Sequence, residues 1–129
     1  RDERDFGERQ LLNLGHTFGH ALEAAGGFER LKHGEAVALG ILAACQLSIL
    51  LGVADVSFRD RVAALLGRHR LPTRCPWASW SDISPWLVLD KKTGEQGGTY
   101  VLTGGIGDVS VHRQVPEASV REAAAYILV

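Results

Sequence analysis

Two short stretches of the chain hold the residues whose types and spacing can do chemistry. In Leu12-Asn13-Leu14-Gly15-His16-Thr17-Phe18-Gly19-His20-Ala21-Leu22-Glu23, two histidines stand four residues apart. On a helix advancing about 100° per residue, Asn13, His16, His20 and Glu23 fall within an arc of about 80°, so one face carries all four. Two imidazoles at this spacing are how a single helix offers a pair of nitrogens to one metal ion or one acid–base site. His33 and Glu35 follow in His33-Gly34-Glu35-Ala36-Val37, a third histidine at the start of a second apolar segment. Zinc takes neutral histidine nitrogens and carboxylate oxygens, and a catalytic site keeps a position open for water or substrate. Glu23 and Glu35 are both placed to complete such a set. Glu35 has two further readings, as a partner that fixes a histidine tautomer or as a favourable charge in the first turn of its helix. Taken singly, each histidine reads as an ordinary hydrogen-bonded residue. The pair in register, flanked by Gly15 and Gly19 and followed by His33, is what marks a site.

The elements that must position these groups are legible from periodicity and punctuation. A first helix is expected from about Glu8 to Ala25, with Leu11, Leu12, Phe18, Ala21 and Leu22 at helical spacing and Gly26-Gly27 as its stop. Gly15 and Gly19 within it each cost about 1 kcal/mol of helix propensity relative to Ala, so tight packing or a close ligand is expected there. A second helix, from His33 or Gly34 to Leu51 and ended by Gly52, is apolar nearly all round, as befits the centre of a bundle. Ser57 with Asp60 reads as a capping box opening a third helix from Ser57 to Arg68. Trp77 to Asp90 reads as one or two short helices around Pro85. Thr99–Thr103 and Asp108–His112 read as a hairpin around Gly104-Gly105-Ile106-Gly107. These glycines lie between strands rather than before a helix, so they make a turn and not a phosphate loop. Pro116 suits a first helical position before a last helix carrying Val120, Ala124, Ile127 and Leu128. The expected fold class is mainly α, a helical bundle with one small β-hairpin. His69 and His112 have no partners at useful spacing and read as structural or surface residues.

Composition narrows the classes of function. The 129 residues include 14 Lys and Arg against 15 Asp and Glu, a net charge of −1, with 46% hydrophobic residues, as in one globular domain. Such a balance excludes a dedicated nucleic-acid binder, and no Lys/Arg cluster marks a membrane patch. The apolar run Ala36–Leu51, interrupted by Gln46 and Ser48, falls short of the roughly 20 residues of a spanning helix and reads as a core helix. Cys45 and Cys75 show no metal or disulfide spacing, in keeping with a reducing cytoplasm. Without any Met, and opening on Arg1-Asp2-Glu3-Arg4-Asp5, the chain is expected to be the later part of a longer polypeptide.

The two histidine stretches, the second read on to Leu39-Gly40, resemble the signature of the 3-dehydroquinate synthase family. Similarity continues upstream through Asp2-Glu3-Arg4 and Gly7-x-Arg9, and downstream through Asp90-Lys91-Lys92, Tyr100-Val101-Leu102 and Gly105-Ile106-Gly107. The resemblance implies that residues 1–129 form the C-terminal metal- and substrate-binding helical domain, with an N-terminal NAD-binding domain absent from this chain. It implies conversion of 3-deoxy-D-arabino-heptulosonate 7-phosphate to 3-dehydroquinate and phosphate in the shikimate pathway, with NAD+ and Zn2+ or Co2+. Carried over by position, His16 and His33 are the implied metal ligands in this chain, the third being a glutamate of the absent part. Glu23 and Glu35 thereby lose most of their claim to the metal. His20 is the implied acid–base group. Arg9, Asn13, His16, His20, Lys91 and Lys92 are implied substrate contacts, the two lysines at the phosphate. Asp5 stands where the family often has a glutamate acting as proton acceptor.

The implied partners are a small sugar phosphate, the chain's own NAD-binding domain and a second copy in a homodimer, with no nucleic acid and no membrane, in the cytoplasm. The domain alone is expected not to catalyse. Cyclases of other sugar phosphates, such as 2-deoxy-scyllo-inosose synthase and aminodehydroquinate synthase, share the histidine framework and stand as alternatives. A non-catalytic zinc-binding helical module stands as a third.

Overall fold

Apolar side chains one turn apart set the core. Phe18, Ala21 and Leu22 lie on one stripe of the first helix and are fully buried. In the computed structural model, residues 17–27, 29–87, 98–105 and 108–128 are described, residues 98–114 by their backbone alone. The first helix, α1, covers residues 17–25 of that range. It is followed by α2 (His33–Leu50) and α3 (Val56–Arg68). A short α4 (Trp80–Ile83) runs into a 3₁₀ turn (Ser84–Trp86). The antiparallel strands β1 (Gly98–Gly105) and β2 (Asp108–Val115) and a last helix, α5 (Glu117–Ile127), complete the order. The fold class is the expected helical bundle with one hairpin.

α2 is the central element because almost every turn of it is apolar. Ala36, Ala38, Leu39, Leu42, Ala43, Ala44, Cys45 and Leu47 are all buried, and α2 packs against α5, α3 and β1. By length and composition alone it could cross a membrane, yet its apolar surface is spent on the protein core. The two polar residues that interrupt it are both satisfied. Ser48 Oγ donates to Ala44 O at 2.8 Å, and Gln46 Oε1 accepts from Arg59 Nη1 at 2.7 Å. The opposite wall of the core comes from Val120, Ala123, Ala124 and Ile127 of α5, joined by Cys75, Ala78, Ile83 and Leu87 from the segment before the hairpin. The Cys75 N–H donates to Ile127 O at 2.6 Å, which ties that segment to the end of α5.

Gly19 explains how α1 comes so close to this helix. A Cβ built on Gly19 would lie 2.9 Å from the carbonyl oxygen of Ala36 and 3.5 Å from the Cα of Val37. The missing side chain therefore lets the backbones of α1 and α2 touch, which is the tight packing that a glycine inside a helix signals. Gly27, at φ +67°, takes the left-handed conformation that ends α1, and Gly52, at φ +80°, does so after α2.

Three local expectations are corrected. The cap of α3 is Asp55, not Ser57: Asp55 Oδ1 accepts the Phe58 N–H at 3.1 Å and the Ser57 hydroxyl at 2.8 Å. Asp60 meanwhile turns to Arg59 at 2.8 Å. Asp55 is the better cap because its carboxylate, two residues earlier, meets both donors at once. Pro116 is the cap of α5 rather than its first helical residue. Its ψ of 142° is extended, and its carbonyl accepts from Ser119 and Val120 N–H groups at 3.1 and 3.2 Å. The strands run further than Thr99–Thr103 and Asp108–His112. Thr103 pairs with Val109, and an irregularity between Thr103 and Gly105 then lets Gly105 pair with Asp108, so Gly105 belongs to the ladder and Gly104 sits at the irregularity within β1.

Two predictions follow from the packing. Gly19→Ala should lower stability by up to about 2 kcal/mol in urea denaturation, because overpacking costs about 1–3 kcal/mol against the roughly 1 kcal/mol gained in helix propensity. The second concerns Cys45 and Cys75, which are buried and outside any disulfide. Burial pushes the Cys45 thiol from its ordinary 9.0 up to about 11 and raises Cys75 as well. Both should resist Ellman's reagent at neutral pH in the folded protein and react in concentrated urea. Because the folded protein binds the Cys45 proton more tightly, this contribution to stability is complete below pH 9.0 and lost as pH rises towards about 11. Cys45→Ala should remove that part of the alkaline slope.

Candidate functional site

The backbone approach at Gly19 brings the polar face of α1 beside the first turns of α2. Between them opens a cleft of about 380 Å³, lined by Thr17, Gly19, His20 and Glu23 of α1 and by His33 and Val37 of α2. His20 and His33, thirteen residues apart in sequence, thus line one cleft. Thr17 and Val37 were not singled out by the pattern of histidines. Both were within reach of it: Thr17 lies about 40° beyond Asn13 on the helical wheel, and Val37 is one turn on from His33.

The carboxylates divide their roles in a way the spacing left open. Glu23 Oε2 lies 3.2 Å from His33 Nδ1, a contact that closes across the α1–α2 turn. The Glu23 side chain is mostly enclosed, at 18% exposure, while the His33 side chain is 67% exposed. The carboxylate is therefore part of the wall, and the imidazole it holds stands at the opening. A carboxylate can only accept, so a neutral His33 bonded to it carries its proton on Nδ1 and its lone pair on Nε2. Glu35 faces elsewhere: its Oε1 accepts the Lys32 N–H at 2.9 Å, half of a capping box at the start of α2. Of the two carboxylates, Glu23 is the one in contact with a histidine ring, and Glu35 is the favourable first-turn charge.

The turn carrying this arrangement is itself pinned. Gly26 and Gly27 N–H groups close back on Leu22 and Ala24 carbonyls at 3.1 and 3.0 Å. Arg30 stacks on the Trp77 ring with its Cζ 4.4 Å from the centroid, and Leu31 packs against the core. His69 is exposed on the far end of α3 and takes no part in the cleft. Asp5, Arg9, Asn13, His16, Lys91 and Lys92 lie outside the described residues, as does Gly15, and the side chain of His112 is also outside them. Among the described residues, no group of three His, Cys, Asp or Glu side chains is gathered that could hold a metal ion by itself. A neutral imidazole with its lone pair turned away from a carboxylate partner is nevertheless the donor a divalent metal takes, so the residues present fit one.

With this geometry in place, comparison with known proteins is decisive for the family. The sequence profile described as 3-dehydroquinate synthase C-terminal matches residues 1–93. The chain belongs to the 3-dehydroquinate synthase C-terminal family. The 3-dehydroquinate synthase of Acidithiobacillus ferrooxidans is 41% identical over 122 residues, covering 95% of this chain and 34% of that protein. The enzyme of the same name from Thermoanaerobacter pseudethanolicus is 43% identical over 110 residues, 85% of this chain and 31% of that protein. The chain thus spans about a third of the length of the curated relatives it matches. Among solved structures, a 2-deoxy-scyllo-inosose synthase complexed with carbaglucose-6-phosphate, NAD+ and Co2+ superimposes with a TM-score of 0.75 at 23% identity, over 90% of this chain and 33% of its own. A 2-epi-5-epi-valiolone synthase from Streptomyces hygroscopicus with NAD+ and Zn2+ bound gives 0.73 at 25% identity, over 93% and 34%. The 3-dehydroquinate synthase C-terminal family and these cyclases therefore share the fold of this chain.

The split between the two carboxylates is measurable. Glu35→Ala should cost about 0.5–1 kcal/mol through loss of the cap on α2. Glu35→Gln, whose side-chain oxygen still accepts, should recover most of it in thermal denaturation. Equal loss in both variants would assign the effect to charge at the helix N-terminus instead.

Proposed function

We propose that this chain is the C-terminal part of a 3-dehydroquinate synthase, which turns 3-deoxy-D-arabino-heptulosonate 7-phosphate into 3-dehydroquinate and phosphate. The observation that carries the reading is one cleft holding His20 and a carboxylate-held His33, in a chain 41% identical to a 3-dehydroquinate synthase over 95% of its length. The remaining two thirds of the enzyme supplies the NAD-binding domain and the third metal ligand.

In this reading His16 and His33 hold a divalent metal, Zn2+ or Co2+. When bound, the metal supplies Lewis-acid polarisation of substrate oxygens and NAD+ supplies a hydride acceptor. The chain's own residues bind and move protons. His33 is oriented by Glu23, and the α1 wall with Thr17 and Gly19 bounds the space beside it. His20, at the cleft surface, takes up and returns a proton at a substrate oxygen, the work for which an imidazole is suited near neutral pH. Arg9 presents a planar fork to a carboxylate or phosphate, and Lys91 and Lys92 offer point charges to the phosphate. Asn13 hydrogen-bonds substrate hydroxyls, and Asp5 is the nearby proton acceptor. Local positive charge of this kind is compatible with a net charge of −1. The enzyme acts in the cytoplasm as a homodimer, where two buried thiols outside any disulfide stay reduced.

The alternatives weighed from the sequence are less well supported. The 2-deoxy-scyllo-inosose synthase likeness is 23% in identity, against 41–43% for the named 3-dehydroquinate synthases. The test is phosphate release from the heptulosonate phosphate with NAD+ and zinc. The 129-residue chain alone should release none, and the full-length gene product should turn over. His33→Ala in the full-length protein should lose more than about a hundredfold in zinc affinity and activity, as a ligand matters more than its supporting partner. Turnover by the chain alone, or full-length turnover of a different sugar phosphate only, would overturn the reading.

A further inference from the structure

We infer that Glu23 is the positioning residue for His33: its carboxylate holds the Nδ1 proton and thereby turns the Nε2 lone pair towards the metal. The inference rests on the metal reading above for its purpose, and on this structure for its geometry. The Glu23 Oε2 to His33 Nδ1 distance of 3.2 Å places the two groups in hydrogen-bond contact, and both line the same cleft. Their exposures differ in the sense required, an enclosed carboxylate at 18% and an outward imidazole at 67%. An anchored acceptor loses little side-chain freedom when it bonds the ring, so it can set the ring's orientation rather than follow it.

The physical need for such a residue comes from the imidazole itself. An unassisted neutral histidine side chain prefers to carry its proton on Nε2, which blocks that nitrogen as a metal ligand. A carboxylate at Nδ1 reverses the preference and makes the other nitrogen more basic. Glu23 reaches His33 because residues 17–25 end at Gly26-Gly27 and the chain returns into α2 within a few residues, while the close approach at Gly19 fixes the spacing of the helices. Glu35 cannot substitute, since its carboxylate caps Lys32 N–H at 2.9 Å.

Two readouts test this, and one of them needs neither metal nor turnover. With the imidazole neutral, nitrogen NMR of the metal-free chain should show His33 protonated on Nδ1. Glu23→Ala should move that proton to Nε2, and Glu23→Gln, whose oxygen still accepts, should keep it largely on Nδ1. In the full-length gene product, competition against a fluorescent chelator should show zinc affinity about 10–100-fold weaker in Glu23→Ala, with Glu23→Gln in between. Circular dichroism and thermal midpoints report folding of each variant, and the near-isosteric Glu23→Gln keeps the test open should Glu23→Ala not fold. An unchanged His33 tautomer in Glu23→Ala overturns the inference. So does wild-type zinc affinity in that variant while His33→Ala still weakens binding, an outcome that leaves the metal reading intact. Zinc affinity untouched by His33→Ala instead overturns the metal reading, and the NMR result then decides alone whether Glu23 sets the tautomer.

Discussion

The contact on which the rest depends is the one between two backbones, where Gly19 lets α1 rest against the Ala36–Val37 turn of α2. Side-chain packing between helices ordinarily leaves 8–10 Å between axes and can adjust as residues change. A backbone contact cannot. The distance between the face bearing His20 and Glu23 and the turn bearing His33 is therefore set by a hard surface rather than by the volume of the core. The apolar stripe of Phe18, Ala21 and Leu22 presses α1 onto the bundle, and Gly19 decides how far it goes.

Around that contact the fold is graded. α2 is enclosed by α1, α5 and the segment from Cys75 to Leu87, and its buried hydroxyl and its amide are both hydrogen-bonded. α3 is different: none of its residues is fully buried, and Val62, Ala63 and Leu66 only lean on the core. Its attachment relies on the Asp55 cap and on Arg59, which bonds Gln46 and stacks 4.6 Å from the Tyr126 ring centroid. Arg74 stacks on the same ring at 4.5 Å. Bonds of the Ser57 hydroxyl and then the Phe58 N–H hold the Asp55 carboxyl below its ordinary range, so the cap is in its accepting form at neutral pH.

The helices and their ends were legible because periodic apolar residues and glycine stops are local signals. α2 lies within a residue of its expected bounds, and Gly26-Gly27 ends α1 as read. Meeting of His20 and His33 in one cleft was also readable, since face and short connection left few other arrangements. The distribution of carboxylates was not. Glu23 and Glu35 have the same side chain and both stand near a histidine, and which one caps a backbone and which one holds a ring is settled by helix orientation across a turn. The same limit explains the shift from Ser57 to Asp55, where two adequate caps compete and geometry selects. Tyr126 gathering two guanidinium groups had no sequence signal, because its partners lie far along the chain.

The turn between Glu23 and His33 also bears on the order in which the molecule can assemble. Their hydrogen bond spans ten residues, whereas the bond from Cys75 to Ile127 and the packing of α5 on α2 close far longer stretches of chain. Loop-closure entropy grows with the length closed, and contacts near in sequence are formed at least cost and soonest. The half-site is thus a local structure, and the core beneath it a non-local one. In a chain made from its N-terminal side, Glu23 and His33 are both present before the segment from Cys75 to Leu87 and α5, which complete the core around α2.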